Sequence, residues 1–146
     1  MQNKSSNTYR DTAVQTSSPT RLVVMLYEGA IRFLNESTTA FQSQDLNAKR
    51  QSIDRAVAIV QHLQGTLDMD RGGEVASELN RLYNYITSCI LDGSAKLEVA
   101  PLEEAIKLLR VLLAGWEEVA ERERNNSVPP ALLAQPAGSS GFKLHA

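Results

Sequence analysis

The sequence has one cysteine, Cys89, so no internal disulfide can form. Its neighbours Ile86 and Ile90 put it on an apolar helical line, where a thiol is buried and inert rather than reactive. Histidines number two, His62 and His145, and no cysteine pair stands at metal-ligand spacing. Ile59, not a carboxylate, stands three residues before His62, which removes the Glu-x-x-His pattern of di-iron bundles. No glycine loop has phosphate-binding spacing, and Gly72-Gly73 reads as a plain turn. No Ser-His-Asp set can be argued. These gaps point away from an enzyme and leave no cofactor or metal to expect. Basic residues are not in excess: 15 Lys and Arg stand against 17 Asp and Glu, a formal charge of −2. Nothing there drives counterion release from a phosphate backbone, so nucleic acid is not an expected partner. No run approaches the ~18 apolar residues that span a bilayer. The polar start, Met1 to Thr12, holds no apolar stretch that could serve as a signal sequence. A soluble, cytoplasmic protein without membrane insertion is the expectation. No internal repeat is visible.

What is present suits a folded domain. A chain of 146 residues that is 42% hydrophobic and 22% charged can bury a real core. Residues 1–17 are rich in Ser, Thr, Asn and Gln and read as a flexible arm with Tyr9 and Val14 as apolar anchors. Ser18-Pro19 opens a first helix: the serine caps free amides, and proline at the first helical position lacks the donor that would be orphaned there. This helix should run to about Ser43. Leu22, Leu26, Gly29, Phe33 and Ala40 follow one face, Val23, Tyr27, Ala30, Leu34 and Phe41 the next, and Val24 and Ile31 a third line. Only Glu28, Arg32, Asn35 and Thr39 form a polar stripe, so the apolar arc is about twice the ~100° of an ordinary surface helix.

Asp45 is placed to cap a second helix, Leu46 to about Leu67, with Ile53, Val57, Val60 and Leu67 as its core line and Ala56 and Leu63 beside it. Asp68–Gly73 breaks the pattern and predicts a loop. A third helix should run from about Glu74 to Val99, with Val75, Leu79, Leu82, Ile86, Cys89, Gly93 and Leu97 on one face and Tyr83 and Tyr85 flanking it. Pro101 should stop it and start a fourth, whose stripe is Leu102, Ile106, Leu109, Leu113, Trp116 and Ala120, widened by Ala105, Leu108, Leu112 and Val119. That helix should fray after Arg124. Residues 125–146, with Pro129-Pro130, Pro136 and Gly138-Ser139-Ser140-Gly141, read as a disordered tail. Four helices of this length joined by short loops predict an all-α, antiparallel up-down four-helix bundle over 18–124.

Two functional readings compete. His62-Leu63-Gln64-Gly65 loosely echoes the exposed histidine of a phosphotransfer bundle, but Gln64 stands where a cation would hold the phosphoryl group. The other reading starts from the surplus apolar surface of the first and fourth helices, which fits a partner segment lying in a groove.

The second reading gains from a resemblance. Tyr9, then Gln15-Thr16-Ser17-Ser18-Pro19, Leu22 and Met25-Leu26-Tyr27-Glu28-Gly29-Ala30-Ile31-Arg32-Phe33-Leu34 occur in order. Leu67-Asp68, Gly72-Gly73-Glu74-Val75-Ala76, Leu79-x-x-Leu82-Tyr83-x-Tyr85-Ile86, Leu102-Glu103-Glu104 and Trp116 follow. Over residues 9–120 this resembles the FliS family of flagellar export chaperones. The resemblance implies a four-helix bundle that binds the disordered C-terminal part of flagellin, prevents premature polymerisation and aids type III export. It further implies contact with export gate components and a monomer or weak homodimer. By family position and apolar geometry, the expected flagellin contacts are Tyr9, Leu22, Met25, Leu26, Tyr27 and Ile31, with Tyr83, Leu108 and Leu112. Departures are Asn84, where an acidic residue is common, the helix-weakening Gly93 in Asp92-Gly93-Ser94, and the tail after Asn125, which has no counterpart in the family pattern.

Overall fold

Short polar residues set the starts of three of the helices. The computed structural model describes residues 18–126 of the chain. Helix α1 is Pro19–Gln42, and Ser18, in extended backbone, accepts the Arg21 amide on its hydroxyl at 3.3 Å. Helix α2 is Leu46–Gly65, capped by Asp45, whose carboxylate accepts the Ala48 amide at 3.1 Å. Helix α3 is Met69–Lys96, capped in the same way by Asp68, which takes the Arg71 amide at 3.0 Å. Helix α4 is Val99–Asn126.

The third and fourth helices depart from expectation at their ends. Asp68–Gly73 is no loop: Asp68 starts a helical turn, and only Gly73, at φ 57° and ψ −135°, interrupts it. A positive φ is cheap for glycine, so the chain bends there and resumes its helix. Val75, just past the bend, is exposed rather than on the core line. Leu97, not Pro101, ends α3. It adopts the left-handed conformation, φ 54°, which swings its side chain off the stripe into solvent. The Glu98 amide then donates to the Gly93 carbonyl at 2.9 Å. Pro101 falls in the first turn of α4, where a missing N–H costs nothing.

Connectors at 43–45, 66–68 and 97–98 are too short to cross the molecule, so each helix turns back beside its predecessor. Helix α1 packs on α2 and α4, and α3 packs on the same two, while the diagonal pairs are not in backbone contact. The described residues therefore form an antiparallel four-helix ring, the expected all-α bundle. Val23, Ala30, Leu34, Ala56, Val60, Leu63, Ile86, Ile90, Leu102 and Leu109 fill its centre. Glu28, Arg32, Asn35 and Thr39 are exposed, as the narrow polar stripe requires. Cys89 is buried, as expected.

Gly93 has a packing reason. A Cβ there would lie 2.9 Å from the Glu98 carbonyl oxygen and 3.1 Å from Leu102 Cγ, so the tight α3–α4 turn needs its absence. Gly115, in the middle of α4, has nothing within 4 Å of the same point. Gly93→Ala is therefore expected to destabilise by about 1–3 kcal/mol through overpacking. Gly115→Ala is expected to stabilise by about 0.4–1 kcal/mol by restricting the unfolded chain. Thermal melts of the two variants check the pair, and equal shifts of one sign would refute the assignment.

Candidate functional site

The four helix–helix seams differ in chemistry. Between α2 and α3 the contact is polar. The Gln64 amide donates to Asn80 Oδ1 at 2.8 Å and Asn84 Oδ1 at 2.9 Å, and Lys49 Nζ donates to Ser94 Oγ at 3.1 Å. Thr87 lies between these on the same helical line, and its buried hydroxyl has no hydrogen-bond partner among the described residues. The α1–α4 seam is closed at one end by Thr20, whose hydroxyl donates to Glu123 at 2.9 Å. Burial raises the Glu123 carboxyl above its ordinary range, and this hydrogen bond partly offsets the rise.

The remaining seams, on opposite sides of the ring, are apolar and only half closed. Gly29 faces Ile59 of α2, and Leu22, Leu26 and Phe33 share its helical line. The Phe33 ring lies under the guanidinium groups of Arg32 and Arg55, at 5.0 and 5.6 Å. Across the ring, Tyr85 of α3 stands near Glu104 of α4. From Glu104 the α4 line runs through Leu108, Val111 and Gly115, with Leu112 beside it. Val111 is 64% exposed and Tyr85 50%, whereas Leu82, Leu108 and Leu112 are half-buried. An apolar strip with two such open side chains is more surface than a closed bundle needs.

The residues expected at the flagellin contact divide. Met25 is exposed, and Leu22, Leu26, Leu108 and Leu112 are half-buried on the two apolar seams. Tyr27, Ile31 and Tyr83 are buried in the core. Tyr27 shares its line with Val23, Ala30 and Leu34, which proves to be the innermost face of α1. Its hydroxyl meets that of Tyr83 at 2.6 Å across the diagonal, with ring centroids 6.3 Å apart. Burial pushes the Tyr83 phenol up to about 12 and holds that of Tyr27 above its ordinary value, with the Tyr83 charge adding to the rise. Tyr9 and Val14, like the arm and most of the tail, lie outside the described residues. Sequence reasoning passed over Val111 and did not count Tyr85 among the contacts. The available signal was an apolar residue three positions from Leu108 and outside the inner stripe.

Polar chemistry does not converge. His62 is exposed, and the Gln64 beside it is committed to tying α2 to α3. No three His, Cys, Asp or Glu side chains among the described residues gather around a metal-sized point. No helix among them is long and apolar enough to cross a membrane.

Fold and surface together define an all-α bundle whose described residues carry partly exposed apolar seams and gather no metal-sized polar cluster. The chain belongs to the FliS family, described as flagellar protein FliS, whose pattern matches residues 1–123. It is 32% identical over 117 residues to the flagellar secretion chaperone FliS of Campylobacter jejuni, covering 80% of this chain and 91% of that one. To the proteins of the same description from Salmonella typhimurium and Vibrio cholerae it is 28% identical over 113 residues and 27% over 115. Those matches cover 77% and 79% of this chain and 84% and 85% of the relatives. The family role is that of a chaperone in flagellar export.

Proposed function

We propose that the protein binds the disordered C-terminal region of flagellin in the cytoplasm, keeps it from polymerising and presents it for type III flagellar export. The observation that carries this reading is the pair of half-open apolar seams on opposite sides of one bundle. A folded partner meets one face. A disordered segment can wrap and fill two, and it recovers its ordering cost by burying apolar area along its length. The contact surface then comprises Leu22, Leu26 and Met25 with Tyr9 on one side, and Leu108, Leu112, Val111 and Tyr85 on the other. Export gate components are a second expected partner. The free protein is expected to be a monomer or weak homodimer.

Mixing the protein with monomeric flagellin should give a discrete complex and stop filament growth near stoichiometric ratio. Calorimetry should show a negative heat-capacity change, the mark of apolar burial, with weak dependence on salt. Filament growth unchanged by excess protein would reject the reading.

A further inference from the structure

Arg32 and Arg55 stand on different helices, yet both guanidinium groups rest on one ring. Their Cζ atoms lie 5.0 and 5.6 Å from the centroid of Phe33, on the α1–α2 seam. Both arginines are exposed, and Phe33 is half-buried beneath them. Stacking on an aromatic face holds the charge but uses none of the N–H donors. Among the described residues, the arginines held by a carboxylate are Arg81, Arg122 and Arg124. Arg32 and Arg55 have no such partner there. Helical position explains why. Glu28 follows Thr20 and Val24 on the line that faces α4. Asp54 shares the line of Val57 and Gln64, which faces α3. Glu36, one turn past Arg32, is the acidic side chain on the seam's own edge, and it forms no ion pair with either guanidinium.

The seam therefore carries open cationic donors beside apolar surface. Leu22 and Leu26 continue the line of Phe33, with Gly29 against Ile59 between them. A guanidinium is weakly hydrated, and its planar fork matches a carboxylate in two parallel hydrogen bonds. Because Phe33 already holds both arginines, less freedom is lost when an anion arrives. A phosphate would suit the forks, but a nucleic acid offers no aliphatic side chains for Leu22 and Leu26, and the chain's formal charge of −2 does not attract a polyanion.

We propose that Arg32 and Arg55 form a carboxylate clamp, and that the client segment seated on the α1–α2 seam is acidic and amphipathic. Its Asp or Glu sits over Phe33 while neighbouring apolar side chains pack on Leu22 and Leu26. That the client is flagellin rests on the function proposed above. Apolar contact alone lets an extended segment slide, and a paired charge fixes its register. Once the segment closes over the pair, salt screens it little, so the weak salt dependence expected of the whole contact is kept.

A double-mutant cycle on the full chain reads the clamp. The probe is a labelled flagellin C-terminal segment whose Asp and Glu residues are replaced singly by Asn and Gln. Arg32→Gln with Arg55→Gln shortens both side chains and removes both charges, and should weaken binding by roughly tenfold or more. One or two client replacements should weaken binding to the natural sequence by a similar factor and cost nothing further against the double variant, the mark of a contacting pair. The client replacements leave the bundle untouched, so their effect owes nothing to its stability. Undiminished affinity in the double variant overturns the clamp. So do client replacements that are all without effect, or whose costs add in full to that of the double variant. A segment that the natural sequence does not bind at all rejects the flagellin reading, and this assignment of the clamp with it.

Discussion

Tyr27→Ala is expected to lower stability by about 3–5 kcal/mol, the range for removing a fully buried aromatic ring. For a bundle of this size that is a fall in melting temperature of roughly 10–20 °C. The ring is wholly buried, and its hydroxyl is within 2.6 Å of the Tyr83 hydroxyl. Tyr27→Phe keeps the ring but strands the Tyr83 hydroxyl in an apolar centre, a loss of about 1–3 kcal/mol. Removing both hydroxyls, in Tyr27→Phe/Tyr83→Phe, takes away the stranded Tyr83 hydroxyl but also the acceptor that Tyr27 gives the Trp116 indole, and should restore part of that loss. A double variant as unstable as the sum of the singles would show that the pair is not coupled. The same pair predicts an alkaline limit. The folded Tyr83 phenol is raised to about 12 by burial, against about 10 in the unfolded chain. Above pH 10 the unfolded chain therefore releases protons that the folded one keeps, and stability falls as pH rises. The contribution is complete below pH 10 and is lost between about 10 and 12, with Tyr27 shifted in the same direction. Melting temperature against pH, followed with tyrosinate absorbance, should fall more steeply in the natural sequence than in the double phenylalanine variant.

The contrast between what the sequence disclosed and what it hid has a physical pattern. Ser18 and Asp45 were legible as caps because a cap is a local hydrogen bond, to an amide three residues on. The stripe of α4 and the burial of Cys89 were legible because helical periodicity alone places them. Tyr27 and Tyr83 were not, because their pairing joins residues 56 apart. A tyrosine on an apolar line carries no sign of whether its hydroxyl faces water or another hydroxyl. Gly93 looked like a weakness, since its close approach to Glu98 and Leu102 exists only after the chain turns back. Gly72-Gly73 suggested a loop, but one glycine at positive φ is enough to bend a helix that Asp68 has already started. For the surface, periodicity showed that α1 and α4 were too apolar. Only the packing showed that the excess sits on two opposite seams while the α2–α3 seam is polar.

That partition yields the second large effect, on binding rather than stability. Val111→Asp with Tyr85→Asp places two carboxylates on the α3–α4 strip, at positions 64% and 50% exposed. Neither side chain fills the core, so the melting temperature should stay close to that of the natural sequence, the usual result for exposed positions. A docked client would have to bury those charges without partners. Losses at the centre of an interface run to about 2 kcal/mol or more, which corresponds to a roughly 30-fold or greater fall in affinity for flagellin. Filament growth should then resume in the presence of the variant. Leu91→Asp is the matched control. Leu91 is also 50% exposed but lies on the α2 side of α3, one helical line with Asn84 and the polar seam, and should leave binding unchanged. The discriminating measurement is a titration of labelled flagellin C-terminal peptide against the three proteins, with melts of each. If Leu91→Asp weakens binding and the double variant does not, the client lies along α2–α3, and the apolar strip between α3 and α4 is no part of its path.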